Sequence, residues 1–238
     1  MSEGLKIMTY IKGAKNARPK SYFTDLIVQN DYIATACQNN LREGYVRDAI
    51  KSNTHIFVMY TERTEQVTGR RTKPTRAVVT PQPTGFILAR KEADEQGPYY
   101  YIDVICAHKY GRELLNHFLT FAGNTSVALS SLPSVLSYYP KFDFEFRKSC
   151  AKDADVVAFP ASLTRLIEGL KTAGGLPKTT EEVYHHDEYL DFMVELHNHD
   201  LNKRTDGDCR LKAKNFTKKK LMESDCGDEG YTMFRCRK

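Results

Sequence analysis

A mixed α/β fold, built on a sheet with helices on both faces, is what this 238-residue sequence predicts. Three observations carry the expectation. The first half holds β-branched and aromatic runs separated by turn-forming residues, the pattern of hairpins. The run "YYYIDVICAHKYGRELLNHFLTFAG", 99–123, opens as a buried strand and closes as an amphipathic helix, joined by a polar, basic stretch around Gly111. A further strand follows that helix, so a strand–helix–strand unit is appended to the hairpins, which calls for a mixed sheet.

Taken in order, "LKIMTYIK" (5–12) is apolar and β-prone enough for a first strand. One or two helices fit between about 20 and 52, where apolar residues recur at helical spacing. "THIFVMYTER" (54–63) and "TGFILARKE" (84–92) are strands. The polar stretch 64–83 between them, with Pro74, Pro81 and Pro83, is either a long loop or a protruding hairpin. "ADEQGP" (93–98) is a tight turn, which makes 84–92 and 99–106 an antiparallel pair. The helix over 111–122 puts Leu114, Leu115, Phe118 and Phe121 or Ala122 on one face. "TSVALSSL" (125–132) is a strand, "PSVLSYY" a short helix with Pro133 in its first turn, and "FDFEFR" (142–147) a strand. Beyond Cys150 come helices at 162–171 and 187–199, a polar basic loop at 201–220, and a last strand at 230–238. Domain organisation follows: 1–147 with 230–238 form the principal domain, and 148–229 a helical, basic insertion before the last strand.

Composition narrows the setting. Hydrophobic residues make up 41%, which suits a globular protein, and 35 basic against 30 acidic residues leave a net charge of +5, too weak to imply nucleic acid. The six cysteines are scattered with no C-x-x-C spacing and read as reduced thiols in a cytosolic protein. No apolar run reaches the ~20 residues a membrane span needs, and no leader is evident, so a soluble intracellular protein is expected.

Two local motifs carry a family resemblance. "KYGRELL" (109–115) follows a strand and opens a helix, and "SYYPKFDFEF" (137–146) joins a short helix to the next strand. Together they resemble the GNAT superfamily of acetyl-CoA-dependent N-acetyltransferases, over about 54–147. The first is similar to the family's G-x-G-x-x-L-L loop, with Gly111 on the second glycine, Lys109 in place of the first, and Leu114 and Leu115 on the apolar pair. The second is similar to its Y-x-x-x-G-F element, with Tyr139 on the tyrosine, Asp143 in place of the glycine and Phe144 on the phenylalanine. Cys106 stands where an arginine or glutamine normally opens the loop. The shortened loop resembles that of GNAT-like proteins of large DNA viruses.

The resemblance implies a GNAT-like fold, acetyl-CoA as cosubstrate, and an amine acceptor, small molecule or protein, attacked directly. The physics of the junction agrees with it: the first N–H groups of a helix lack intrahelical partners and attract phosphate. The amides of Lys109, Tyr110, Gly111 and Arg112 would take the pyrophosphate, with Lys109 and Arg112 adding charge and Gly111 free to adopt positive φ. The pantetheine arm would pair like a short strand with backbone groups of Val104, Ile105 and Cys106, whose side chains are equally at home in a core. Tyr139 is the implied acid that protonates the departing thiolate; packing of Tyr138 and Tyr139 with Phe142 and Phe144 is the alternative. Asp103 is the first choice for the base, with His108 and a water chain as others. His117 reads as a surface or partly buried residue.

Other clusters point elsewhere more weakly. His185, His186, His197 and His199 beside carboxylates match no strong zinc spacing and read as a polar helix surface. The basic stretches at 70–76 and 203–220 read as solvated loops, so nucleic acid is not an expected partner, nor is a membrane. No P-loop motif occurs. The competing function is a GNAT-like module with weakened catalysis that acts as a binding or structural component.

Overall fold

The computed structural model describes residues 4–15, 17–28, 32–33, 37, 41–67, 76–132, 135–172, 186–199, 217–218 and 230–237. Its elements run β1 (Lys6–Ile11), α1 (Lys20–Val28), α2 (Glu43–Ser52), β2 (His55–Val67), β3 (Arg76–Asp94), β4 (Gly97–Ala107), α3 (Gly111–Ala122), β5 (Ser126–Ser131), a 3-10 turn (Tyr139–Phe142), β6 (Glu145–Phe146), α4 (Ala161–Thr172), α5 (Asp187–Asn198) and β7 (Tyr231–Arg235). The mixed α/β class is the one expected, and the order from β2 to β6 is the order the GNAT resemblance implies. The chain divides into two compact units, 1–92 with 100–123 and 93–99 with 124–238.

In the first unit the strand order is β1-β2-β3-β4. β1 pairs antiparallel with β2 from Lys6↔Tyr60 to Ile11↔His55. β2 and β3 stay paired from His55↔Ala89 out to Val67↔Arg76, so the two flanks of the stretch left open above are paired strands that reach well past the end of β1; residues 68–75, with most of the basic cluster at 70–76, lie outside the described residues. The register shifts between Met59 and Tyr60, whose partners are Gly85 and Pro83, leaving Thr84 as the extra residue of a bulge.

Alternation along β2 assigns the two faces. Ile56 and Val58 meet α1 and α2 through Phe23, Ile27, Val46 and Ile50. Phe57, between them, packs its ring on Phe118 and Phe121 of α3 at 5.2 and 5.0 Å. Helix α3 therefore lies on the opposite face from α1 and α2, and Leu114, Leu115, Phe118 and Ala122 are its buried stripe. Each large apolar side chain on that stripe contributes about 1.5–3 kcal/mol by burial.

In the second unit β7 lies between β5 and β6, antiparallel to both. β6 is two residues long, not the six expected, because Tyr139–Phe142 are coiled into the 3-10 turn and Asp143 ends it with φ 63°. That turn also begins later than the short helix expected over 133–139; Pro133 and Ser134 lie outside the described residues. Helix α5 buries His197, 1% exposed, whose ring meets Tyr231 at 5.4 Å. The expectation of a wholly polar surface fails at that residue, since His197 falls on the same stripe as Leu190 and Met193. His185 and most of the 201–220 stretch lie outside the described residues. Among the described residues no helix is long and apolar enough to cross a membrane.

The cysteines depart from expectation. Cys37 and Cys106 form a disulfide, as do Cys150 and Cys236. The partners are 69 and 86 residues apart, so local spacing says nothing about them; the fold brings their Cα atoms to 5.0 and 5.5 Å, within bonding range. With four of the six paired, the reduced-thiol reading is corrected, and the cytosolic placement drawn from it loses that support.

Candidate active site

β4 carries the residues expected to meet the cofactor. Tyr100 packs on Phe118 and Phe121, at 5.9 and 5.7 Å, so it faces α3. Strict alternation would put Val104 and Cys106 on that face too. They lie instead in the cluster with α1 and α2, where Cys106 is bonded to Cys37. Asp103 also faces that side: its Oδ2 accepts a hydrogen bond from Asn53 Nδ2 at 3.0 Å and its Oδ1 pairs with Arg90 at 3.2 Å. Asp103 and Val104 thus share a face, and alternation breaks between them. Such a break is a bulge, whose extra residue leaves backbone polar groups outside the ladder.

The break hands over to the loop. His108 N–H donates to Thr84 O at 3.0 Å, tying the loop to the bulge of β3. Gly85 makes this possible: a Cβ there would stand 3.0 Å from both Ala107 Cβ and Leu114 Cδ2 and 3.2 Å from Cys106 O, tighter than ordinary contacts. Tyr110 N–H turns back to His108 O at 3.1 Å across Lys109, whose φ is 74°. This is a γ-turn of the strained hand, rare for a side chain as long as lysine. The first helical bond of α3 is Leu114 N–H to Tyr110 O.

Two expectations change here. The Tyr110 amide is consumed inside the loop, so it is not among the donors offered to an anion. Gly111 has no positive φ; it starts the helix, and Lys109 takes the unusual conformation instead. Among the described residues, the amides of Lys109, Gly111 and Arg112 donate to no backbone carbonyl. They stand at the positive end of a 12-residue helix, flanked by the exposed side chains of His108, Lys109 and Arg112. The arrangement fits a phosphate: free donors, a favourable dipole and adjacent cations. Exposed Glu113 also sits in the first turn and opposes part of that charge.

Val104 is buried and Ile105 half-buried, both side chains serving the core as the sequence allowed. The Cys106 side chain is committed to its disulfide, which leaves only its backbone for a ligand. Asp103 is 12% exposed at its side chain and already engaged by Asn53 and Arg90. Burial alone would lower the Arg90 pKa; its bonds to Glu92 and Asp103 outweigh that and raise it, so this cation stays charged and the pair intact. His117 is exposed, as expected, with its ring near Phe57.

In the second unit Tyr139 heads the 3-10 turn and is 6% exposed. Its ring meets Tyr138 at 5.3 Å and Phe144 at 5.9 Å, so the packing alternative is realised in part. Burial, and then the Tyr138 phenol, push its pKa well above the usual tyrosine range. This phenol keeps its proton and offers it as a hydrogen-bond donor; it is not a base. Asp143 N–H donates to Pro140 O and Phe144 N–H to Tyr139 O, which lock the turn.

Lys109 and Asp143 are the two non-glycine residues with positive φ among the described residues. They are also the two positions at which the sequence resemblance had set another residue against a family glycine. No simple reading of the chain's own composition would single out Gly85, Thr84 or Asn53; a glycine within a strand was the available signal for the first.

A concavity of about 250 Å³, lined by Lys148, Ser149, Asp153, Asp155 and His199 among others, contains none of the expected site residues. Among the described residues no group of three or more His, Cys, Asp or Glu is placed to hold a metal.

No protein-family model matches this chain, and no curated protein matches it. Solved structures do. One is histone acetyltransferase HPA2 and related acetyltransferase from Corynebacterium glutamicum, 14% identical over 66% of this chain and 99% of that one, with a TM-score of 0.34. A second, described as an N-acetyltransferase of Lactobacillus plantarum, is 14% identical over 65% and 95%, with a TM-score of 0.39. A third, the integron cassette protein VCH_CASS6 of V. cholerae, is 13% identical over 68% and 97%, with a TM-score of 0.35. At this overlap they decide nothing about the chemistry, which rests on the chain's own residues.

Proposed function

We propose that the protein is an N-acetyltransferase that moves acetyl from acetyl-CoA to an amine by direct attack. One observation carries the reading. Both residues that replace a family glycine hold the positive φ that glycine would supply, Lys109 at 74° and Asp143 at 63°. Such backbone costs a lysine about 1–2 kcal/mol and an aspartate less, and its retention at two places supports a retained task.

The roles follow the geometry. The amides of Lys109, Gly111 and Arg112, with the Lys109 and Arg112 cations, hold the pyrophosphate of coenzyme A. Backbone groups of Val104–Cys106 pair with the pantetheine arm. The cosubstrate supplies an activated acyl group: the amine nitrogen bonds its carbonyl carbon, the carbon–sulfur bond breaks, and the thiolate takes a proton. Tyr139 supplies the hydrogen bond or proton to that sulfur. The amine loses its proton to water.

The second reading, a module that binds the cofactor with weakened catalysis, is favoured by the depth of Tyr139 and the engagement of Asp103, since neither is a freely exposed acid or base. A thermal scan with acetyl-CoA, followed by detection of released thiol against polyamines, lysine peptides and free N-termini, decides between them. A rise in melting temperature with thiol release supports the enzyme; a rise with no acceptor used supports the module. No rise at millimolar acetyl-CoA removes both.

A further inference from the structure

Asp103 is the residue expected to act as the base, and its surroundings suit a different task. Its carboxylate lies on the face of the sheet that α1 and α2 cover, where an unbonded charge would be expensive. Both of its oxygens are met, Oδ2 by Asn53 and Oδ1 by Arg90. Asn53 is itself fully buried and fixed: its N–H and its Nδ2 both donate to Ala49 O, at 2.9 and 2.7 Å, at the end of α2. Its Nδ2 must point this way, because the reversed amide would set an oxygen against both Ala49 O and the carboxylate. Arg90 is held in turn by Glu92 and lies over the Tyr101 ring at 4.6 Å.

The clamp sits immediately before the break in β4. A second anchor, the Cys37–Cys106 disulfide, sits three residues on. Between them only Val104 and Ile105 are free to choose a register. Were Asp103 released, the extra residue could move along the strand, and every backbone group from 103 to 106 would change direction.

We propose that Asp103 is a positioning residue: through Asn53 and Arg90 it fixes where β4 breaks its alternation, and so which backbone groups of Val104–Cys106 meet the pantetheine arm of coenzyme A. This rests on the acetyl-CoA reading above and deepens it. The base role and the positioning role make opposite predictions. A base acts on turnover and leaves cofactor affinity alone; a clamp acts on affinity.

Calorimetry with coenzyme A and steady-state kinetics separate them. Asp103→Ala weakens coenzyme A by about tenfold and leaves kcat at saturating acetyl-CoA within about threefold. Asp103→Asn keeps an oxygen toward Arg90 but sets its Nδ2 against Asn53 Nδ2, so it restores affinity only in part, to between the wild-type and Asp103→Ala values. Asn53→Ala weakens coenzyme A as Asp103→Ala does, and the double variant is no worse than the poorer single, since both cut one network. If Asp103→Ala does not fold, Asn53→Ala reports the same loss. Turnover lost by about 100-fold in Asp103→Asn with affinity intact would restore the base and overturn the proposal. Hydrogen exchange at the 103–106 amides gives a readout free of ligand: it quickens in Asp103→Ala, and unchanged exchange overturns the clamp. A wild-type protein that binds no coenzyme A would remove the functional reading, while exchange still decides whether Asp103 holds the register.

Discussion

The loop at 107–111 and the turn at 139–144 use the same device to opposite ends. Each contains one side-chain-bearing residue at positive φ, Lys109 or Asp143. The loop spends one amide on itself, Tyr110 to His108, and leaves those of Lys109, Gly111 and Arg112 without a backbone acceptor among the described residues. The turn closes on itself through Asp143 and Phe144, and what it presents is a buried phenol. The contrast teaches that an unusual φ does not by itself mark a ligand site. What matters is whether the donors around it are consumed. It also separates two kinds of strain: an αL cap suits aspartate, whereas a γ-turn suits lysine poorly.

Four substitutions test that contrast. The largest effect is expected at the turn: Tyr139→Phe keeps the ring packing, removes the proton, and lowers kcat by about 100-fold with coenzyme A affinity unchanged, measured by single-turnover kinetics and calorimetry. Unchanged turnover would make the turn purely structural. Next comes the support beneath the loop. Gly85→Ala forces a methyl against Ala107, Leu114 and Cys106 O, costing about 1–3 kcal/mol in chemical denaturation and weakening coenzyme A as the loop shifts. Smallest is the paired test of the two φ values. Lys109→Gly stabilises the fold by about 1 kcal/mol while weakening coenzyme A a few-fold through loss of charge, and Asp143→Gly changes stability by only a few tenths. Equal gains at both sites would erase the distinction between γ-turn and cap.

Much of the scaffold was legible from periodicity. The boundaries of α3 and the strands around it are visible because Leu114, Leu115 and Phe118 repeat at helical spacing and "YYYIDVIC" is continuous. The glycine substitutions were legible by resemblance, but their consequence was not: Gly111 drew attention, and Lys109 took the conformation. What stayed hidden is non-local. Cys37, beyond the end of α1, meets Cys106 of β4 only once the chain has folded. Asp103 and Asn53 are fifty residues apart and touch because α2 ends against the sheet. A one-residue break in alternation leaves no mark in a strand whose residues are apolar on both sides.

The paired strands beyond Tyr60 carry Pro81 and Pro83 opposite Glu62 and Tyr60. Prolines two apart lack the N–H on the same side of a strand, and a ladder that survives them must be using the other side. Along that stretch the β3 edge of the ribbon therefore offers a foreign strand a broken ladder, which disfavours fibril-like self-association through that edge at high concentration.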